Sequence, residues 1–278
     1  MQTLDIVAAL ASAVLHAGWN AAVKASPRPD EAMGAQMMSS ALLVIPILAV
    51  SGLPPLSAAP WIAASMIMNT MIVVALLRSY ELAGFGIAYP FSRALSVVMV
   101  VPLAAAIAGD RVSGPQMLGI VLIVSAMGVV AFGAGREKPV AGRALLWILL
   151  AAASTASYVI CDAQGVRAAG SALSYGCTTT IANAAAMAWR LSRIKSPTRV
   201  LRDNWQIGLP CAIAAVISYL LILWVWGHAP IAPAAALRDT SSVFAILFAT
   251  LLLKEPMTRT RLAALALAIL AVPLLRLG

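Results

Sequence analysis

Arginine inside an apolar run needs a partner, and this chain has two such arginines in related surroundings. In the stretch 84–101, GFGIAYPFSRALSVVMVV, Tyr89, Ser92, Arg93 and Ser96 recur at i, i+3, i+4 and i+7 and share one face of a helix. A variant returns at 230–243, PIAPAAALRDTSSV, and an offset of 145 residues carries Arg93 onto Arg238, Ser96 onto Ser241, Val98 onto Val243 and Asp110 onto Glu255. Each arginine falls about 9 Å inside its predicted helix. A charge at that depth in an apolar environment is costly unless it faces a wet cavity or an acid. The chemistry it offers is a planar fork that grips a carboxylate with two parallel hydrogen bonds. The plain alternative is that each side chain snorkels to the nearer interface, helped by Glu81 or Asp239.

A second polar face lies near the start of the chain, where His16, Trp19 and Asn20 stand at i, i+3 and i+4, with Lys24 one turn on. Such a face suits a cavity better than lipid. Asn69, in the middle of an apolar run, must find a hydrogen-bond partner, whether in a neighbouring helix or in a cavity. Tyr89 adjoins the arginine face. Tyr80, Tyr158, Tyr219 and Trp226 lie near the ends of apolar runs, where aromatics serve as interfacial anchors. Tyr158 also belongs to a face formed by Ser154, Tyr158 and Asp162, but Asp162 falls close to the end of its segment. The candidate substrate-binding set is therefore His16, Trp19, Asn20, Asn69, Tyr80, Tyr89, Arg93, Tyr158, Arg238 and Ser241. Cys161, Cys177 and Cys211 have no metal-ligand spacing and read as packing residues. No H-E-x-x-H, G-x-S-x-G or nucleotide-loop pattern occurs, and the only histidines, His16 and His228, lie on different runs. These absences point away from an enzyme and predict neither cofactor nor metal. Without a nucleotide site, work on a solute must be driven by its own gradient or by an ion.

The elements that position these residues follow from composition. Of 278 residues 62% are hydrophobic and only 10% charged, so the surface cannot be covered with polar groups and requires a bilayer. At roughly 20 residues per span, the apolar runs divide into ten predicted helices. These lie near 4–24, 31–51, 61–81, 87–108, 116–133, 144–164, 171–189, 205–227, 232–253 and 258–277. The fold class expected is an all-α membrane protein of ten transmembrane helices, with halves at 1–135 and 144–278 joined by a basic linker at 136–143. Five spans per half make the halves inverted repeats around a central cavity. Gly84, Gly86 and Pro90 in one half, and Pro230 and Pro233 in the other, interrupt helical hydrogen bonding and are candidate hinges or gates. The alternative there is a plain helix start, where proline is welcome.

The net charge of +9 is spread over short connections without interleaved aromatics, which disfavours nucleic acid as a partner. One set of connections holds Lys24, Arg28, Arg78, Arg136, Lys138, Arg143, the cluster Arg190–Arg202, Lys254, Arg259 and Arg261. The opposite set holds Arg111, Arg167 and Arg276. With ten spans, the excess of positive charge inside places both termini outside. No basic residue precedes the first apolar run, which favours a retained helix over a cleaved leader.

The HAGWN–K pattern of His16–Asn20 and Lys24, the two five-helix halves, and the repeated acid at Asp110 and Glu255 (in LLLKEPMTRTRL) resemble the drug/metabolite transporter superfamily. More narrowly the chain is similar to the ten-span EamA-like exporter branch, which includes bacterial exporters of amino acids, aromatic ones among them. A monomer in the bacterial inner membrane is expected, its termini periplasmic by the loop charges. The resemblance implies a central cavity built mostly by the first, third, fourth, sixth, eighth and ninth helices, the fifth and tenth lying outside. Amino-acid export by alternating access is the leading expectation. The alternatives are a cationic drug exporter, or a membrane scaffold or enzyme that transports nothing. The small four-span relatives carry a buried glutamate in their first helix, where this chain has His16. For a drug exporter only Asp162 and Asp239 remain as buried acids.

Overall fold

A computed structural model of the chain describes residues 1–135, 142–252 and 257–277, and among these there is no strand. The helices are α1 (Thr3–Ala25), α2 (Pro29–Ser51), α3 (Ala59–Ala83), α4 (Phe85–Ala108), α5 (Gly114–Gly135) and α6 (Gly142–Ala169). They continue with α7 (Ala172–Ser192), α8 (Pro197–Asp203), α9 (Trp205–His228), α10 (Ile231–Asp239), α11 (Ser241–Leu252) and α12 (Arg259–Arg276). A short 3-10 turn, Leu56–Ala58, leads into α3. Helices are the natural solution for this composition, because each satisfies its own backbone polar groups where no water is available.

Seven of these elements are long and apolar enough to cross a membrane: α1, α2, Leu56–Ala83, Ile87–Ala108, Gly114–Ala131, α6 and α9. The remaining predicted spans correspond to more polar or shorter pieces. The α7 helix carries Thr178, Thr179, Thr180, Asn183 and Arg190, and α12 carries Arg259, Arg261 and Arg276. The single run predicted at 232–253 is two helices, α10 and α11, divided at Thr240. The Thr240 hydroxyl donates to Leu237 O at 2.6 Å and that of Ser242 to Asp239 O at 2.9 Å. Hydroxyls bonded back to their own helix in this way bend it, and apolar periodicity alone carried the prediction through the break. The basic connection after α7 likewise contains the unforeseen short helix α8. Of the linker, 136–141 lie outside the described residues, as do Lys254 and Glu255.

Contacts between the two halves come in matching kinds. The first long helix of each half packs on the third of the other, α1 on α9 and α6 on α3. The fourth helix packs on the other half's first, α4 on α6 and α10–α11 on α1, while α2 meets α7 and α5 meets α12. Small residues allow the close approaches, and a Cβ at Gly208 of α9 would come within 3.0–3.2 Å of Ala35 on α2. Ser12 of α1 and Ser218 of α9 exchange hydrogen bonds with each other's carbonyl oxygens at 2.7 Å on each side. Large apolar side chains such as Leu42, Ile67, Val98, Leu146, Ile269 and Leu270 face outward, whereas much of the interior is alanine and serine. That distribution suits hydrocarbon outside the protein.

Candidate functional site

Arg93 sits two turns inside α4, and its Nη1 lies 3.3 Å from Oδ1 of Asp239 at the end of α10. Its guanidinium also stands over the Tyr89 ring, 5.3 Å from the centroid. Glu81, the other acid near Arg93 in sequence, is instead on the surface, 2.8 Å from Arg78. Arg238 precedes Asp239 and lies over the ring of Trp226 at 5.4 Å. The two arginines that share a sequence context therefore flank a single aspartate, at the point where α10 gives way to α11. A helix end there leaves carbonyl groups without intrahelical partners, which favours cations.

Most of the predicted residues gather around this point. His16 contacts Trp19 edge to face, with centroids 5.2 Å apart, and is within electrostatic range of both Arg93 and Arg238. Tyr80, on α3, and Tyr89, on α4, flank the α3–α4 joint and both interact with Arg93. Tyr158 of α6 interacts with Arg238 from the other side. Ser241 is buried just past the break. Asn69 is partly buried on α3, one turn from Ser65. The Asn20 amide donates to the carbonyl of His16 at 2.7 Å, one turn back on its own helix. Ser92 and Ser96 do the same, bonding Tyr89 O at 2.9 Å and Arg93 O at 2.8 Å. The indole N–H groups of Trp19 and Trp226 are buried and without an acceptor among the described residues.

The candidate hinges divide into two kinds. Gly84 alone joins α3 to α4, with φ 77° and ψ 152°, a conformation open essentially to glycine. Gly86 and Pro90 lie within α4. Pro230 caps α10 and Pro233 lies in its first turn, which is the helix-start geometry proline favours. Asp110, the acid that ends the first arginine helix, accepts a hydrogen bond from the backbone N–H of Ile231 and so anchors the start of α10. Arg167 closes the end of α9, donating to Trp226 O at 3.0 Å and Ala229 O at 2.9 Å.

The largest departure from the sequence reading is Asp162. The α6 helix continues to Ala169, so Asp162 lies two turns inside it and is fully buried. Its Oδ1 accepts hydrogen bonds from Ser65 of α3 at 2.6 Å and Tyr175 of α7 at 3.0 Å, and its Oδ2 from Tyr219 of α9 at 2.8 Å. Tyr158 lies close to both Asp162 and Tyr219. Tyr219 and Trp226, read as interfacial anchors, are thus interior residues, Trp226 with no exposed surface. The signal available in sequence was the four-residue spacing of Ser154, Tyr158 and Asp162. What it lacked was the hydroxyl donors, which come from three other helices.

Two pockets lie away from Arg93 and Arg238. One, of about 210 Å³, is lined by Val166, Arg167, Ala172, Leu223 and His228 among others, and the second, of about 310 Å³, by Ser196, Thr198, Arg199 and Arg202.

Fold and site together define an all-helical, multi-pass membrane protein with ionisable groups held inside it. Residues 142–277, just under half of the chain, match the EamA-like transporter family. No curated protein matches the sequence. A solved structure described only as "Crystal structure of protein" superimposes with a TM-score of 0.76 over 98% of this chain and 95% of that one, at 14% identity. At that identity the likeness is one of fold.

Proposed function

We propose that this protein is a ten-span secondary transporter that exports amino acids or closely related metabolites across the bacterial inner membrane by alternating access. Its halves are read as inverted repeats, a reading supported by the matched contacts between them and by the offset that pairs Arg93 with Arg238. The observation that carries the function is the Arg93–Asp239–Arg238 group at the α10–α11 break. A zwitterionic solute suits it. Its carboxylate can compete with Asp239 for a guanidinium, its amino group can meet Asp239, and the indole N–H groups of Trp19 and Trp226 offer further donors. Gly84 and Gly86 with Pro90, and Pro230 with Pro233, are read as the points about which α3–α4 and α9–α10 move.

Uptake of labelled amino acids into vesicles containing the purified protein tests this reading. Arg93→Gln and Arg238→Gln should each reduce apparent affinity by about 10–100-fold, the worth of one charge-assisted contact. Lysine at either position should restore little if the guanidinium grips a carboxylate with two bonds. Wild-type rates in all four variants would remove the arginines from the site. A second reading, export of cationic drugs, is favoured by the buried Asp162 carboxylate among aromatic hydroxyls. It predicts vesicle uptake of a labelled lipophilic cation and none of amino acids.

A further inference from the structure

The Asp162 cluster lies outside the arginine group and has a geometry that a purely structural acid does not need. Four helices converge on one carboxylate, and among the described residues its hydrogen-bond partners are all hydroxyls, Ser65, Tyr175 and Tyr219, with Tyr158 nearby. No ion pair reaches it among the described residues. Arg167, on its own helix, is committed to the carbonyls of Trp226 and Ala229, and Arg238 approaches Tyr158, not the carboxylate. Asp239, by contrast, has Arg93. A hydroxyl can donate or accept, so this shell can satisfy the carboxyl group in either charge state, which a ring of N–H donors could not.

A pocket lies one helical turn from the cluster. The 210 Å³ pocket is lined by Val166, one turn beyond Asp162 on α6, by Leu223, one turn beyond Tyr219 on α9, and by Ala172, one turn before Tyr175 on α7. His228 also lines it, and its Nε2 lies 2.9 Å from Asp5 Oδ1. The other groups around Asp162 are Cys161 on the same helix and, from α4 and the 3-10 turn, only backbone and neutral contacts: Gln164 bonds Ile107 O and Ser57 bonds Ala168 O.

We propose that Asp162 is the site where a proton binds and leaves during the transport cycle, reached through the pocket beside His228. This rests on the transporter reading and supplies its coupling ion. Oδ1 carries two hydrogen bonds and Oδ2 one, so the proton goes to Oδ2. There the new O–H faces the Tyr219 hydroxyl, which turns from donor to acceptor and directs its own hydrogen towards Tyr158. Protonation thereby alters the tie between α6 and α9 and leaves those to α3 and α7 in place. Through Tyr158 the change reaches Arg238, beside the substrate group.

The test has a substrate-free arm and a transport arm. Protein in vesicles of phosphatidylethanolamine and phosphatidylglycerol is titrated by infrared difference spectroscopy. The wild type should gain a protonated-carboxyl band on acidification that is missing from Asp162→Asn, retained in Asp239→Asn and shifted in frequency in Tyr219→Phe. A wild-type spectrum with no titrating carboxyl band in the membrane-embedded range, or an undiminished band in Asp162→Asn, would overturn the proposal. Tyr219→Phe keeps the test valid even if Asp162→Asn fails to fold. In the transport arm, a one-unit pH gradient should support about tenfold accumulation of labelled amino acid at one proton per solute. Asp162→Asn should lose that accumulation and keep solute exchange. Wild-type uptake indifferent to the gradient would sink the coupling. No amino-acid uptake at all would instead count against the proposed substrate, with the infrared arm still deciding on the proton site.

Discussion

At the level of single residues, the interior is held by a few polar contacts whose removal should be visible. Arg93 and Asp239 are both mostly withdrawn from solvent, so taking away one leaves the other charged in an apolar setting. Arg93→Gln should cost about 3 kcal/mol of stability, and Arg93→Gln/Asp239→Asn should recover much of it. Thermal unfolding in detergent reads both, and a double variant as unstable as the sum of the singles would mean the pair makes no contact. Gly165 gives a second expectation. A Cβ there would fall on the Tyr175 ring and displace a hydroxyl that bonds Asp162. Gly165→Ala should therefore destabilise by about 1–3 kcal/mol, while Gly128→Ala, where nothing lies within 4 Å, should be neutral or mildly stabilising. Equal melting temperatures for the two would contradict the packing described. Arg93 and Arg238 were legible from their setting, but Asp162 was not, because the partners that make it notable lie on other helices.

Among the elements, the α3–α4 corner is the most sharply determined. Two helices of 25 and 24 residues meet with one residue between them, and that residue is Gly84 with φ 77°. Any side chain there meets open space but the wrong backbone region. Gly84→Ala should cost about 1–3 kcal/mol, measured as lost thermal stability. Gly86→Ala faces no such backbone penalty, since Gly86 is helical. An unaffected Gly84→Ala protein would show that the corner can relax. The division of α10 from α11 was passed over because one span was drawn through the polar run Arg238–Ser242, which lies between apolar flanks. Back-bonded hydroxyls and the Arg93 contact mark the break, and only the second of these depends on another helix.

For the molecule as a whole, the charges and the packing favour one orientation. Lys195 Nζ lies 2.9 Å from Glu31, and Asn204 Nδ2 3.2 Å from it, so the α7–α9 connection is tied to the start of α2 on the basic side. That side should be cytoplasmic. A single cysteine at Arg199 in a cysteine-free protein should resist impermeant reagents added to intact cells, and one at Gly170 should react. The reverse pattern would invert the topology, and labelling of both from outside would refute the count of ten spans.

Composition by itself pointed to a bilayer, because a chain with 62% apolar residues cannot cover its surface in water, and apolar runs of about 20 residues pointed to helices. Periodicity placed most helix ends within a few residues, and an internal offset found the arginines, since both are properties of neighbours along the chain. Tertiary structure decided which acid each polar group meets. Arg93 meets Asp239, 146 positions away, and Ser65 meets Asp162 at a separation of 97. Separations of that size leave no mark on local pattern, since the spacing along one helix says which residues share a face but not which face of another helix it meets.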